Sequence, residues 1–237
     1  MACQWYEKAA AGGVPAAAHF FAQCLQDGIH QAVDHEAAIH WYQQAANLGH
    51  TISLCTIGDL YMQGEGVEKN PQKALAYCQQ AASIGLTPAQ LKLGQFYLNG
   101  DATIRDPQKA ATWFGYAAEK NSAEAYYYLG VIKLNEFHNQ THALYWFEMA
   151  ASQGYAPAYY QTARLYFNAP LAEETDMPTA ENLAKSYLWL SATKQQSGLE
   201  NELNDTLRML KKVEQVMPES WKKDLDKKVS QHFLEFQ

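Results

Sequence analysis

DPQKAATWFGYAAEKNSAEAYYYLG, residues 106–130, decides how this chain folds. Asp106 is a good helix N-cap, because its side chain can accept from an otherwise unpaired N–H of the first turn. Pro107 follows at the first helical position, where a missing N–H costs nothing. An alanine-rich helix runs to Ala118, a short polar turn follows, and a second helix opens toward Gly130. The rest of the chain repeats this. Trp41-Tyr42, Tyr77-Cys78 and Trp113-Phe114 stand 36 residues apart, each four residues before an Ala-Ala pair. Trp5-Tyr6 lies 36 residues before the first of these, and Trp146-Phe147 lies 33 after the last. A fixed period of this length is the signature of a solenoid of stacked units.

Each unit reads as two antiparallel helices, here called A and B. Helix A carries a small residue in register: Ala22, Gly58, Gly94, Gly130 and Ala163. Apolar residues around it, such as Leu93, Phe96 and Tyr97, recur at spacings of three and four and so share one face. Glycine in mid-helix costs about 1 kcal/mol against alanine. Its recurrence predicts a close approach of two helices. Helix A is expected to end at Gly28, Gly64 and Gly100, and helix B to open at Asp34, Asn70, Asp106 and Asn139. The loop between them is shortened around Asn135–Asn139 and lengthened at Ala169–Thr179. A fifth helix B is expected from about Ala180 to Gln196, with Tyr187 or Leu188 in the tryptophan place.

The array is therefore expected over residues 1–198, with a partial unit at 1–13 and units at about 14–49, 50–85, 86–121, 122–154 and 155–198. Residues 199–237 are expected to form capping helices. Leu199, Leu203, Leu207, Leu210 and Val213 make one apolar stripe, and Trp221, Leu225, Val229 and Phe233 another. The first unit consists of a helix B alone, which suggests that the chain starts inside a longer array.

Composition narrows the function. The chain has 237 residues, of which 48% are hydrophobic, enough for a sizeable core. A net charge of −7 argues against nucleic-acid binding, which needs a basic face. No apolar run is long enough for a membrane span, and the first residues show no signal peptide. The four cysteines (Cys3, Cys24, Cys55 and Cys78) do not stand at metal-ligand spacings. They occupy places held elsewhere by apolar residues and are expected to be buried free thiols. That favours a reducing, cytoplasmic compartment, with a periplasmic or exported one as the alternative if the N-terminus is truncated.

The pattern Leu-Gly-x-Phe/Leu-Tyr, a Gly-x-Gly-Val loop, Asp/Asn-Pro-x-Lys-Ala and the aromatic pair before Ala-Ala resembles the Sel1-like repeat. The fullest copies are Ser53–Gly85 and Ala89–Ala118, and the resemblance covers about residues 1–196. Tetratricopeptide repeats are relatives with a period nearer 34 and a shorter loop. The resemblance implies an all-α, right-handed α/α superhelical solenoid, often bacterial, that acts as an adaptor or scaffold. Some members are similar to cysteine-rich proteins with a disulfide in each repeat. Here Ala46, Ala82, Ala118 and Ala151 stand at the place of such a cysteine, so no activity of that subgroup is carried over.

No enzymatic motif stands out. His35-Glu36-Ala37-Ala38-Ile39-His40 resembles H-E-x-x-H but has one residue too many. At i and i+5 the imidazoles diverge by about 140° on a helix of 3.6 residues per turn, a poor start for tetrahedral coordination. His138 and His142 have the right spacing but straddle the expected N-cap Asn139. No catalytic residue, metal site or cofactor is expected.

The candidate site is a surface. By comparison with tetratricopeptide geometry, helix A lines the concave groove. Met62, Leu98, Asn99, Tyr127, Val131, Leu134, Asn135, Tyr160, Arg164, Phe167 and Asn168 then face it. Aromatic residues and Arg are the usual anchors of protein interfaces. The alternative is that these side chains pack internally, against the C-terminal helices or one another. The leading expectation is a non-enzymatic scaffold binding an extended or helical segment of another protein. Recognition of a small molecule or glycan fragment by the same residues comes second, and an enzyme third.

Overall fold

The computed structural model describes residues 2–29, 32–171, 178–196 and 200–236. Among these residues the chain is all helix and loop. One compact unit reaches to Lys120 and a second starts at Asn121.

The first unit holds α1 (Ala2–Ala11), α2 (Pro15–Gln26), α3 (His35–Asn47), α4 (Ser53–Gln63), α5 (Pro71–Ser83), α6 (Thr87–Asn99) and α7 (Pro107–Ala118). The second holds α8 (Ala123–Asn135), α9 (Gln140–Ser152), α10 (Pro157–Phe167), α11 (Ala180–Gln196), α12 (Glu200–Val216) and α13 (Glu219–Leu234). The hairpins α2/α3, α4/α5, α6/α7, α8/α9 and α10/α11 are the A/B pairs.

Local chemistry sets the helix ends. The side chains of Asp34, Asn70, Asp106 and Asn139 accept from the backbone N–H three residues on, at 2.9–3.0 Å. Each satisfies a donor the helix itself cannot pair. Gly64 ends α4 in the left-handed region, with φ 78°. Gly100 ends α6 differently, with φ −65°. Space, not φ, calls for glycine there: a Cβ would lie 2.5 Å from Ile104, which is buried.

The small residues of helix A mark close contact, as expected. A Cβ on Gly58 would lie 2.9 Å from the Ala74 carbonyl oxygen. On Gly94 it would lie 2.7 Å from the Phe114 ring, and on Gly130 2.6 Å from the Phe147 ring. The second member of each aromatic pair is the buried one: Tyr42, Cys78, Phe114 and Phe147 are all at most 1% exposed. The first member lies farther out and meets an aromatic of helix A. Trp41 meets Phe21, Tyr77 stacks on Tyr61 and Trp146 on Tyr126. The lysine of the Asn/Asp-Pro-x-Lys motif has a clasping role. Lys73 donates to the Tyr61 hydroxyl at 2.7 Å, and the Lys109 ammonium lies 5.5 Å over the Tyr97 ring.

Three expectations need correction. The cysteines are not free thiols: Cys3 is bonded to Cys24 and Cys55 to Cys78. The Cα atoms are 6.0 and 4.1 Å apart, because each pair faces across two packed helices. With the free thiols goes the argument for a reducing compartment. Second, the tryptophan place of the fifth pair is Trp189, not Tyr187 or Leu188. Trp189 stacks on Tyr159 at 5.7 Å, as Trp146 does on Tyr126. Leu190 is fully buried beside it, as Phe147 is in the preceding pair. Third, the buried stripe runs through Thr206, Met209, Leu210 and Val213 of α12 and Met217 just past its end, while Leu207 is exposed. Leu199 lies outside the described residues.

Candidate interaction surfaces

In the second unit, α8 and α10 carry the predicted strip. Tyr127, Val131, Leu134, Tyr160, Arg164 and Phe167 are half-buried, and Asn135 and Asn168 are exposed at the helix ends. Tyr127 packs among rings, 5.5 Å from Tyr128, 5.5 Å from Tyr155 and 5.7 Å from Phe147. Burial, then the neighbouring Glu124, Tyr128 and Tyr127, push the Tyr155 hydroxyl up to about 12. Burial raises the Tyr127 hydroxyl as well, so both are neutral hydrogen-bonding groups at any physiological pH.

The strip divides in two at α12. The Tyr160 hydroxyl donates to the Asp205 carboxylate of α12 at 2.7 Å, and burial with that bond pushes it up to about 12. Phe167 lines a cavity of about 260 Å³ with Tyr166, Leu183, Val213 and Val216. Tyr160 and Phe167 thus face a helix of the same unit. Arg164 donates to Gln161 at 2.9 Å, and its guanidinium lies 6.0 Å over the Tyr160 ring. α13 takes another side of α10 and α11. Its His232 lies 3.0 Å from the Tyr159 hydroxyl and 5.4 Å from the Trp189 ring. Neither covering was legible in sequence, since each depends on where the last helices return.

In the first unit, Leu98 is a core residue, 8% exposed. Met62 is half-buried against the core, and Asn99 is exposed. A polar cluster missed in the sequence lies in the same unit. His19 of α2 stands in the helix-A place that Tyr127 and Tyr160 hold elsewhere. Its Nδ1 is 2.9 Å from the Ser53 hydroxyl, which is 2.8 Å from Nδ1 of His50. The Tyr42 ring lies 5.1 Å from His19, and its hydroxyl donates to Gln26 at 2.8 Å. The signal was two histidines and a serine within one period; without the helix packing nothing joined them.

Burial, then the charge of a neighbouring His50, lowers His19 to about 4. The folded state holds His19 neutral while the unfolded chain protonates near 6.5. Stability from this group is therefore complete above pH 6.5 and falls as pH drops from 6.5 toward 4. After allowance for solvent screening the loss near pH 5 is about 1 kcal/mol. Wild type should lose more stability than His19→Asn between pH 7.5 and pH 5 in urea melts; parallel losses would refute the assignment.

Among the described residues no three His, Cys, Asp or Glu side chains converge as metal ligands. His35 and His40 sit on α3, and His138 and His142 flank the α9 N-cap. No helix among the described residues is long and apolar enough to cross a membrane.

Helical hairpins that seat an aromatic of helix B on a small residue of helix A define an α/α repeat protein. The chain belongs to the Sel1 repeat family, which matches residues 1–14, 15–50, 53–86, 87–122 and 123–155. It is similar to the crystal structure of a Sel1 repeat protein from Oxalobacter formigenes. Identity is 25%, coverage 82% of this chain and 78% of that one, and the TM-score 0.64. It is also similar in fold to c5321, a protective antigen present in uropathogenic Escherichia coli strains. There identity is 19%, coverage 97% of this chain and 55% of that one, and the TM-score 0.51. Among curated proteins none matches the chain.

Proposed function

We propose that this Sel1 repeat protein is a non-enzymatic interaction scaffold, and that the helix-A face of its second unit receives a segment of another protein. The observation that carries this is α12. An amphipathic helix of the chain already lies on that face at Tyr160 and Phe167. The adjoining Tyr127, Val131, Leu134 and Arg164 offer aromatic, aliphatic and guanidinium anchors of the kind that dominate interfaces. Asn135 and Asn168 at the edge can hydrogen-bond an extended backbone. In the first unit Met62 and Asn99 hold the equivalent places. The paired cysteines support work in an oxidising compartment such as a periplasm.

A photo-crosslinking amino acid at position 131 or 135, used in source cells, tests this. Both positions should trap one and the same protein, and position 145 on α9, where Tyr145 is exposed, should trap none. Loss of both adducts in a Tyr127→Ala/Arg164→Ala background that keeps its helical circular dichroism would support the reading. Equal labelling from all three positions, or adducts that survive the substitutions, would count against it.

A further inference from the structure

Ser53 is the first residue of α4 and is fully buried. Its hydroxyl has two partners, the Nδ1 atoms of His19 and His50. A hydroxyl carries one proton and can donate it once. If it accepted from both imidazoles, its own proton would be buried without an acceptor, which is costly. So Ser53 donates to one ring and accepts from the other. When both rings are neutral they are held in opposite tautomers: one carries its proton on Nε2, and the other leaves Nε2 as a lone pair. Neither Nε2 has a hydrogen-bond partner among the described residues, and neither is among the buried polar atoms that lack one. Both therefore meet solvent. The rings are 4.6 Å apart. Beside them Phe20 is 42% exposed, 5.5 Å from His19 and stacked on Tyr6 at 5.2 Å.

We infer that His19 and His50, set in opposite tautomers by Ser53, form a recognition site for a primary carboxamide such as an Asn or Gln side chain. A primary carboxamide offers one acceptor and one donor side by side, matching one Nε2–H and one Nε2 lone pair. A carboxylate offers only acceptors and an ammonium only donors, so each leaves one nitrogen unmatched. The Phe20–Tyr6 stack gives an adjacent apolar wall for the carbon skeleton of the ligand. The site lies wholly in the first unit and stands independently of the proposal for the second.

Histidine-selective long-range proton–nitrogen NMR at pH 7.5 tests both parts. Expected is one ring protonated on Nδ1 and the other on Nε2, assigned with His19→Leu and His50→Leu. Titration with N-acetylglycinamide should move both Nε2 resonances in a saturable way, while acetate and methylammonium leave them in place. Ser53→Ala should weaken that response at least fivefold. His50→Leu, at a loop position, should do the same, so the test survives a misfolded Ser53 variant. Two identical tautomers, or acetate shifts as large as those of the amide, would overturn the inference.

Discussion

Reducing the two disulfides is expected to destabilise the first unit by several kcal/mol and leave the second untouched. Cys3–Cys24 and Cys55–Cys78 close loops with sequence separations of 21 and 23. In the chain-entropy account each such cross-link removes about 3 kcal/mol worth of freedom from the unfolded chain. The core they brace relies on small side chains, with Ala18, Ala22, Ala38, Ala45, Ala74 and Ala81 all fully buried. Alanines allow close helix packing but bury little area each, so hydrophobic burial alone leaves a thin margin. All four cysteines fall in the first unit, and the second serves as an internal reference. Hydrogen exchange with and without a phosphine reductant should show faster exchange in α1–α5 and no change in α8–α11. The Cys55→Ser/Cys78→Ser protein should repeat the effect around α4 and α5. Unchanged protection in α1–α5 after complete reduction would show that packing alone holds this unit.

These bonds mark where sequence reading reached its limit. The repeat register was legible because five kinds of position recur together: caps, small residue, aromatic pair, alanine pair and terminal glycine. Only Cys78 stands at one of them, in the aromatic pair; Cys3, Cys24 and Cys55 stand at none. Cys24 follows the small residue of one helix A and Cys55 precedes that of the next; Cys3 and Cys78 hold unlike places in helix B. One bond joins helix B to the following helix A, the other joins helices A and B of one hairpin. Pairing of that kind has no period and emerges only from packing. Trp189 escaped for a related reason. It stands 43 residues after Trp146, not 33 or 36, and Thr193 replaces the first alanine of the usual pair. The strip on α8 and α10 was legible as register positions. That α12 would take Tyr160 and Phe167 was not, because a stripe of apolar residues does not say which face it will meet.

Phe147→Ala is expected to cost about 3–5 kcal/mol, the range for emptying a large ring from a closed core. Phe147 is fully buried, and the ring lies over Gly130, where a Cβ would meet three of its atoms at 2.6–2.9 Å. That contact makes the partner substitution informative. Gly130→Ala gains about 1 kcal/mol of helix propensity but forces the ring to move, at about 1–3 kcal/mol. Alone it should destabilise by about 1 kcal/mol. In the Phe147→Ala background the obstacle is gone, and the new methyl group enters the vacated space. There Gly130→Ala should stabilise, by about 1 kcal/mol. A double-mutant cycle from urea melts should then show a coupling of about 2 kcal/mol, well above the additivity error for independent sites. Additive effects would mean that the glycine series answers to something other than the aromatic above it. A coupling of the expected sign would instead explain two features of the repeat at once. The small residue recurs because the ring of helix B needs its space. Where that ring is replaced, by Cys78 or Leu190, the helix-A residue no longer has to be glycine for the same reason: under Gly58 the close atom is the Ala74 carbonyl oxygen, and at Ala163 the methyl group is already in place.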